Sequence, residues 1–460
     1  MKKILTLIFA TLAIYGTMHA EVYSGTCGEN LTWSLNTEDS TLIISGTGEM
    51  SKMSFWDYSV PWCRYRFYIA HVSLPDGLTN IGTEAFYNCT SLTSIEIPNS
   101  VTNIGYAAFK ECKNLTHVTI PNSVTSIVDN AFDRCSSLPV IDNIRYADTY
   151  LVEVVNIFLT AYTIKDGTRW IGNSAFSGCT NLTSIEIPNS VINIGSYAFN
   201  YCYSLTSIEI PNSVINIGNY AFESCDRLTS MEIPNSVISI GDKAFSGCRG
   251  LTSVIIPKNV TKMGSNTFSG CTSLTSVVWN AINCEDFIAK SDEYVAAVYA
   301  PFYRINKQIS SFVFGIEVKH IPNALCCGMN ALTSIEIPNS VTTIGDDAFS
   351  GCKSLMSIYN YAATPQGISN NVFGTWNSSE VNEAVDKSVC VLYVPEESID
   401  LYKKADVWKE FSNIQAITDE ETAIENPSAK YGGSRKLLRD SQILILLDNH
   451  TYTLTGQQVK

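Results

Sequence analysis

The chain has 460 residues, of which 45% are hydrophobic and 16% charged, with a formal net charge of −14. That apolar content excludes a disordered chain, and the acidic balance excludes nucleic acid and anionic membrane surfaces as partners, since both would be repelled. Length alone would suggest several globular domains, but an array of repeats grows rung by rung and is not limited by one core.

In chain order, Met1-Lys2-Lys3, the apolar stretch from Ile4 to Tyr15, and Met18-His19-Ala20 have the layout of a secretory signal peptide over 1–20. Met18 is bulkier than the small residue favoured three positions before such a cut. Removing Lys2 and Lys3 with the leader takes the formal charge of −14 to near −16. Cys27 lies beyond Glu21, so no cysteine directly follows the leader to carry a lipid anchor, and no later run is long enough to span a bilayer. Residues 21–70, from Tyr23-Ser24-Gly25-Thr26-Cys27-Gly28 through Ile43 to Met50, read as a β-rich N-terminal cap. A stack of repeats exposes its core at each end and needs such cover.

The stretch 71–360 is built on one interval. Ala85-Phe86-x-x-Cys89 returns at Cys112 and Cys135, then at Cys179, Cys202, Cys225, Cys248 and Cys271, with neighbours 23 residues apart. Within one repeat, Ser94-Ile95-Glu96-Ile97 alternates with the two-residue period of a short strand, and Pro98-Asn99-Ser100 supplies the turn that ends it. Leu92, Ile95 and Ile97 face inward, Val101 and Ile104 begin the return segment, and Gly105 permits a tight or left-handed backbone there. The same text returns from Ile185, Ile208, Met231, Val254 and Ile335, so the expected fold is a solenoid whose strands stack in parallel about 4.8 Å apart. Two variant stretches depart from it, near 136–170 and 279–329. In the second, Leu325-Cys326-Cys327-Gly328-Met329 replaces the usual motif, with Met329 in the cysteine position.

A C-terminal cap over 361–417 follows, with Val391-Leu392-Tyr393-Val394-Pro395 as a closing strand and an amphipathic stretch from Ser398 to Phe411. Residues 418–435 are polar and end in Gly432-Gly433-Ser434, a linker composition. A separate tail occupies 436–460.

The pattern Leu-x-x-Ile-x-Ile-Pro-x-x-Val-x-x-Ile-Gly-x-x-Ala-Phe-x-x-Cys, repeated from about Leu74 to Tyr359, resembles the BspA-like class of leucine-rich repeats found in surface proteins of anaerobic bacteria. The tail, with Lys436-Leu437-Leu438-Arg439-Asp440 and Tyr452 to Lys460, resembles the C-terminal sorting segments of proteins exported by the type IX secretion route. The resemblances imply a leucine-rich repeat solenoid with a parallel concave sheet, exported to the cell surface or outer membrane or released, and engaged in adhesion to host matrix proteins, host cells or other bacteria.

Fifteen cysteines in an exported chain suggest disulfides, but cysteines at one position of successive rungs point the same way at strand separation. They are expected to be buried free thiols that pack as small hydrophobes. Cys27, Cys63, Cys284, Cys326, Cys327 and Cys390 stand outside the ladder, and of Cys326 and Cys327 one is expected in the core and one on the surface. His71, His117, His320 and His450 are isolated, and no His-x-x-x-His or Cys-x-x-Cys pair exists, so neither a metal site nor a cofactor is expected. Gly-x-Ser-x-Gly and phosphate-loop patterns are absent too, and no catalytic residue is assigned. The sequons at Asn88, Asn114 and Asn181 read as turn residues.

The outward strand positions are more informative. One column holds Ser184, Ser207, Ser230, Ser253 and Ser276, and the next holds Glu186, Glu209, Glu232, Ile255 and Val278. Val313, Glu336 and Tyr359 continue the second if the long variant rung keeps register. Aligned carboxylates repel across a sheet, so this column either meets a partner with basic and apolar groups, or cations, or is a solvated face. The sequence therefore points to a non-enzymatic protein that binds a protein or glycan macromolecule. Two alternatives differ in class: a glycan-binding or protein-scaffolding module at the outer membrane, and a hydrolase built on Glu285, Asp286, Asp292 and Glu293.

Overall fold

A computed structural model describes residues 21–54, 59–287, 299–375 and 384–418, together with the backbone of Arg435–Arg439, Gln442–Leu447, His450–Thr453 and Gln458–Val459. The expected leader and most of the expected linker lie outside the described residues. Those four last strands form an antiparallel meander in sequence order. The chain divides into two compact units, Met1–Pro139 and Val140–Lys460.

The first unit opens with three antiparallel strands, Val22–Gly28, Leu31–Asn36 and Thr41–Gly48. Alternation buries Leu31, Trp33, Leu35, Leu42 and Ile44 on one face. The third strand then pairs in parallel with His71–Ser73 and with Gly77–Leu78, which turns an antiparallel cap into the start of a parallel stack. Trp62, fully buried, donates its indole N–H to the Ala85 carbonyl at 2.7 Å and stacks on Phe86.

Each rung carries two short strands rather than the single one legible in the sequence. Ser94–Glu96 pairs with His117–Thr119, while Asn80–Ile81, Asn103–Ile104 and Ser126–Ile127 form a second parallel column. Inside, Phe86, Phe109 and Phe132 stack with centroids 5.2 Å apart at each step. Cys112 and Cys135 each place Sγ 3.0 Å from the carbonyl of a phenylalanine one rung earlier.

Gly105 corrects the sequence reading, because its backbone is not left-handed; a Cβ there would lie 2.6 Å from the Thr83 nitrogen of the preceding rung. The glycine lets two backbones touch. The left-handed positions lie elsewhere and are mostly not glycine in this unit: Glu84, Ala107 and Asn130 in one series, Asn88, Glu111 and Arg134 in the other.

In the second unit, the variant stretch near 136–170 holds an antiparallel hairpin, Ile144–Ala147 with Tyr150–Val154. Asp142 and Asn143, both at positive φ, make the tight turn between Val140–Ile141 and the first of these strands. The second hairpin strand starts a parallel column that continues through Trp170–Ile171, Asn193–Ile194, Asn216–Ile217, Ser239–Ile240 and Lys262–Met263. The other column runs in three hydrogen-bonded groups. These are Ser207–Glu209 with Ser230–Glu232; Ser253–Ile256 with Ser276–Trp279 and Ser311–Phe314; and Ser334–Ile337 with Ser357–Asn360, Val391–Val394 and Asn413–Ala416.

The core of this unit is a ladder of identical contacts. Phe176, Phe199, Phe222, Phe245, Phe268 and Phe302 stack at 5.0–5.5 Å. Cys202, Cys225, Cys248 and Cys271 hold Sγ 3.1–3.3 Å from phenylalanine carbonyls of the previous rung. All fifteen cysteines are buried and unpaired. The split expected for Cys326 and Cys327 is not found, since both are buried. Cys326 takes the phenylalanine place, and Met329, fully buried, takes the cysteine place. Cys327 is covered because the variant segment packs on it, with buried Asn306 donating to its carbonyl at 2.8 Å.

At the C-terminal cap the amphipathic stretch is helical only over Ile399–Tyr402, with a 3-10 turn at Trp408–Glu410 after Val407 at φ 66°. Trp408 is fully buried and bonds the Gln366 carbonyl at 2.8 Å, and Asn413–Ala416 adds a final strand not foreseen in the sequence.

Two measurements check this packing. Gly218→Ala would bring a Cβ to 2.5 Å from the Ser196 nitrogen and 2.6 Å from the Gly195 carbonyl carbon, so denaturant unfolding is expected to show a loss of about 2 kcal/mol or more. Burial pushes the Cys89 and Cys352 thiols up to about 12 from an ordinary value of 9.0. Raised thiols favour the folded state below pH 9, and that contribution is lost as pH rises from there toward 12, by about 1.4 kcal/mol per pH unit per thiol. Unfolding followed by circular dichroism should show this alkaline loss, and Cys89→Ala should reduce its slope.

Candidate binding surface

Alternation fixes the surface. In each strand the residues at the Ile95 and Ile97 positions enter the core, so the two between and before them must point outward. The structure brings the predicted residues into line within each sheet group. Ser207 is opposite Ser230 and Glu209 opposite Glu232. Ile255, Val278 and Val313 are successive partners, beside a matching row of Ser253, Ser276 and Ser311. The long variant rung therefore keeps register. Glu336 pairs with Tyr359, which pairs with Tyr393, the two rings stacking at 4.5 Å. Glu186 forms a single bridge with Thr163. The ladder is interrupted between Glu232 and Ile255 and between Val313 and Glu336, although those strands lie side by side.

Exposure changes along the column. Glu186, Glu209, Glu232 and Ile255 are exposed, whereas Val278, Val313, Glu336 and Tyr359 are half-buried. Three carboxylates thus lead into an apolar stretch of three rungs with a serine rim, followed by Glu336 and a tyrosine pair. In the first unit the corresponding pairs are Ser94 with His117 and Glu96 with Thr119, so an all-acidic column does not form there.

His320 lies between Thr343 Oγ1, 2.8 Å from Nδ1, and Asp286 Oδ1, 3.1 Å from Nε2. Asp286 also accepts the Asn323 backbone N–H at 2.7 Å, and the Asn323 amide exchanges two bonds with the backbone of Phe287. This network fastens the start of the variant segment to the rung beside it. Glu285 lies 3.8 Å from Lys262, while Asp292 and Glu293 lie outside the described residues. Among the described residues no group of three His, Cys, Asp or Glu converges to hold a metal. No described helix is long and apolar enough to cross a membrane.

Sequence reasoning missed two exposed features of the second unit. Ile215 and Ile238 stand outward where Thr102, Thr125 and Thr342 occupy the same place and bond the carbonyl of the rung before. Tyr197, Tyr201, Tyr203 and Tyr220 are exposed or half-exposed on the turn side, with Tyr197 and Tyr220 stacked at 4.6 Å and Lys243 over the Tyr220 ring. Their signal was there to be read as departures from the repeat text.

The parallel columns, the asparagine turns and the phenylalanine ladder define a leucine-rich repeat solenoid, a class that offers rows of side chains rather than an enclosed cavity. The BspA type leucine-rich repeat model matches residues 63–150, 155–278 and 299–385 in six copies, and the chain belongs to that family. The gaps near 278–299 and 150–155 fall in the two variant stretches. Among solved structures, the chain is similar to a leucine-rich repeat protein from Bacteroides ovatus at 21% identity, covering 85% of this chain and 99% of that one with a TM-score of 0.37. It is also similar to a leucine-rich repeat protein from Eubacterium ventriosum at 23% identity, covering 72% and 95% with a TM-score of 0.31. A leucine rich cell surface protein from Faecalibacterium prausnitzii is 21% identical, covering 87% and 96% with a TM-score of 0.25. No curated protein matches the chain.

Direct opposition of Glu209 and Glu232 has a measurable cost. Glu209→Gln is expected to raise unfolding stability by about 0.2–0.5 kcal/mol at low salt, with the gain fading as salt rises; a gain independent of salt would deny the repulsion.

Proposed function

We propose that the chain is an exported surface protein that binds another protein through the outward column of its second unit, in an adhesin-like role. The observation that carries this reading is the run Ile255, Val278 and Val313, outward-facing and aligned, between Glu232 on one side and Glu336 on the other. Apolar side chains kept at the surface in successive rungs lose free energy to water unless a partner covers them. Carboxylates at both ends would select a partner segment with an apolar centre and basic flanks, and would speed its approach. Membership of a repeat family whose fold serves recognition supports binding over catalysis. Export rests on the leader-like sequence of residues 1–20 and on the sorting-like tail.

The test is binding of the purified chain to a panel of matrix proteins, host-cell surfaces and bacterial envelope proteins. Selective binding is expected, weakened about tenfold or more by the Glu186→Lys, Glu209→Lys and Glu232→Lys triple variant and by Ile255→Asp. Binding that survives both variants would remove this column from recognition. Capture of an envelope protein alone, with no matrix or host-cell ligand, would favour scaffolding at the outer membrane.

A further inference from the structure

Tyr359 and Tyr393 hold the outward place in successive rungs of the C-terminal sheet group, and their rings stack at 4.5 Å and within 5° of parallel. That separation is close to the strand spacing of about 4.8 Å, so the rings stand face to face along the column. The outer face of Tyr359 is therefore turned toward its other in-register neighbour, Glu336, and the outer face of Tyr393 toward Gln415. An aromatic face carries negative potential, and at Tyr359 it is set beside a carboxylate one rung away.

The same chain shows what a stacked tyrosine pair takes on its outer face. Tyr197 and Tyr220 stack at 4.6 Å and within 5° of parallel, and Lys243, in the same place one rung on, holds its ammonium 5.2 Å from the centre of the Tyr220 ring. Arg66 and Arg169 lie over the rings of Phe67 and Trp170 in like manner, at 4.2 and 4.4 Å. At the end of the strand-column pair stands Glu336, of opposite charge, so ring face and carboxylate together attract a cation instead of supplying one. Tyr361 adjoins them: burial, and then the Glu336 and Tyr359 charges, push its phenol up. All three residues are half-buried, and water screens an ion pair less there than on an open surface.

Resting on the reading of the strand column as a protein-binding surface, we propose that Glu336, Tyr359 and Tyr361 accept an arginine side chain of the bound protein. A guanidinium is flat: it lies on the Tyr359 face while two of its N–H groups donate to the Glu336 carboxylate in its own plane. It is also more weakly hydrated than an ammonium, so entry into a half-buried place costs it less than it costs lysine. The exposed acids of the column lack this setting, because the residues opposite them are Thr163 at Glu186 and a second carboxylate at Glu209 and Glu232. Those positions attract either base, and discrimination between the two belongs to the Glu336 end.

The experiment is saturation-transfer NMR of the full chain, at physiological ionic strength, with N-acetylarginine methylamide, N-acetyllysine methylamide and the uncharged N-acetylcitrulline methylamide. The arginine probe should receive transfer at its side-chain methylenes, with the lysine probe held about fivefold more weakly and the citrulline probe not held. Glu336→Gln and Tyr359→Val, the second installing the residue found at Val313 in the same column, should each weaken the arginine probe about fivefold. Both sites face outward, so the melting temperature should barely move, which separates lost binding from lost folding. The Glu186→Lys, Glu209→Lys and Glu232→Lys triple variant should hold the probe within about twofold of the parent. The proposal is overturned if the arginine probe receives no transfer, if lysine or citrulline is held as well, if Glu336→Gln and Tyr359→Val both bind like the parent, or if the triple variant abolishes binding. The probes need no partner protein, so the two readings fail separately. A protein ligand that binds Glu336→Gln as it binds the parent overturns the arginine site and leaves the column; a probe result as expected, with protein binding indifferent to the column variants, leaves the arginine site and removes the column.

Discussion

Everything in this fold depends on backbone hydrogen bonding between a residue and its counterpart about 23 positions later. The Thr116, Thr183 and Thr206 amides reach the Thr93, Thr160 and Thr183 carbonyls, and Gly195, Gly218 and Gly241 reach Ile171, Ile194 and Ile217, all between 2.8 and 3.2 Å. Once the separation of neighbouring rungs is set by those bonds, each side chain has to stack on the residue at the same place in the next rung. Phenylalanine can, as near-parallel rings at 5.0–5.5 Å. A cysteine fits beneath a carbonyl of the preceding rung at 3.0–3.3 Å. The glycine after the second strand is kept because a neighbouring rung's backbone occupies the space a Cβ would need.

The same constraint makes the surface informative. Residues that stack in the core cannot vary independently, whereas outward residues answer only to water or to a partner. The threonine and serine columns use that freedom for more rung-to-rung bonding, as when Ser190, Ser213 and Ser340 donate to backbone carbonyls of the preceding rung at 2.6–2.8 Å. Where isoleucine replaces such a threonine, as at Ile215 and Ile238, the rung gives up that bond and exposes apolar area.

The period, the inward residues and the cysteine ladder were legible because each recurs with a fixed neighbour: Phe three residues before Cys, Ile on both sides of one polar residue. The second strand of each rung was not, because Asn103–Ile104 is two residues long and no alternation can be read from two residues. Gly105 was misread for a related reason. A sequence shows that a Cβ is unwelcome but not whether torsion or a neighbour forbids it, and here the neighbour does. The tight turn from Val140–Ile141 into Ile144–Ala147 was announced by Asp142-Asn143, a pair suited to positive φ at both turn positions, and was passed over as part of an irregular rung. Cys326 and Cys327 looked like a core and surface pair because only one fits the ladder; the cover over Cys327 comes from Asn306, twenty-one residues away and outside any repeat logic.

Of the candidate sites, the outward column could be written down from the sequence because register follows from period, and the structure then supplied its gradient from exposed carboxylates to half-buried apolar residues. The tyrosines could not be ranked in the same way. Tyr197 and Tyr220 share a left-handed position that every rung fills with an ordinary residue, such as Ser174, Lys243 or Asn266, so their conformation says nothing particular. Tyr201 stands in the other left-handed place, which Asn88, Glu111, Arg134 and Ser224 also fill without glycine, so its conformation does not set it apart either. In a molecule whose interior is dictated by stacking, departures from the repeat that carry a cost and lie at the surface are where selection other than folding has acted.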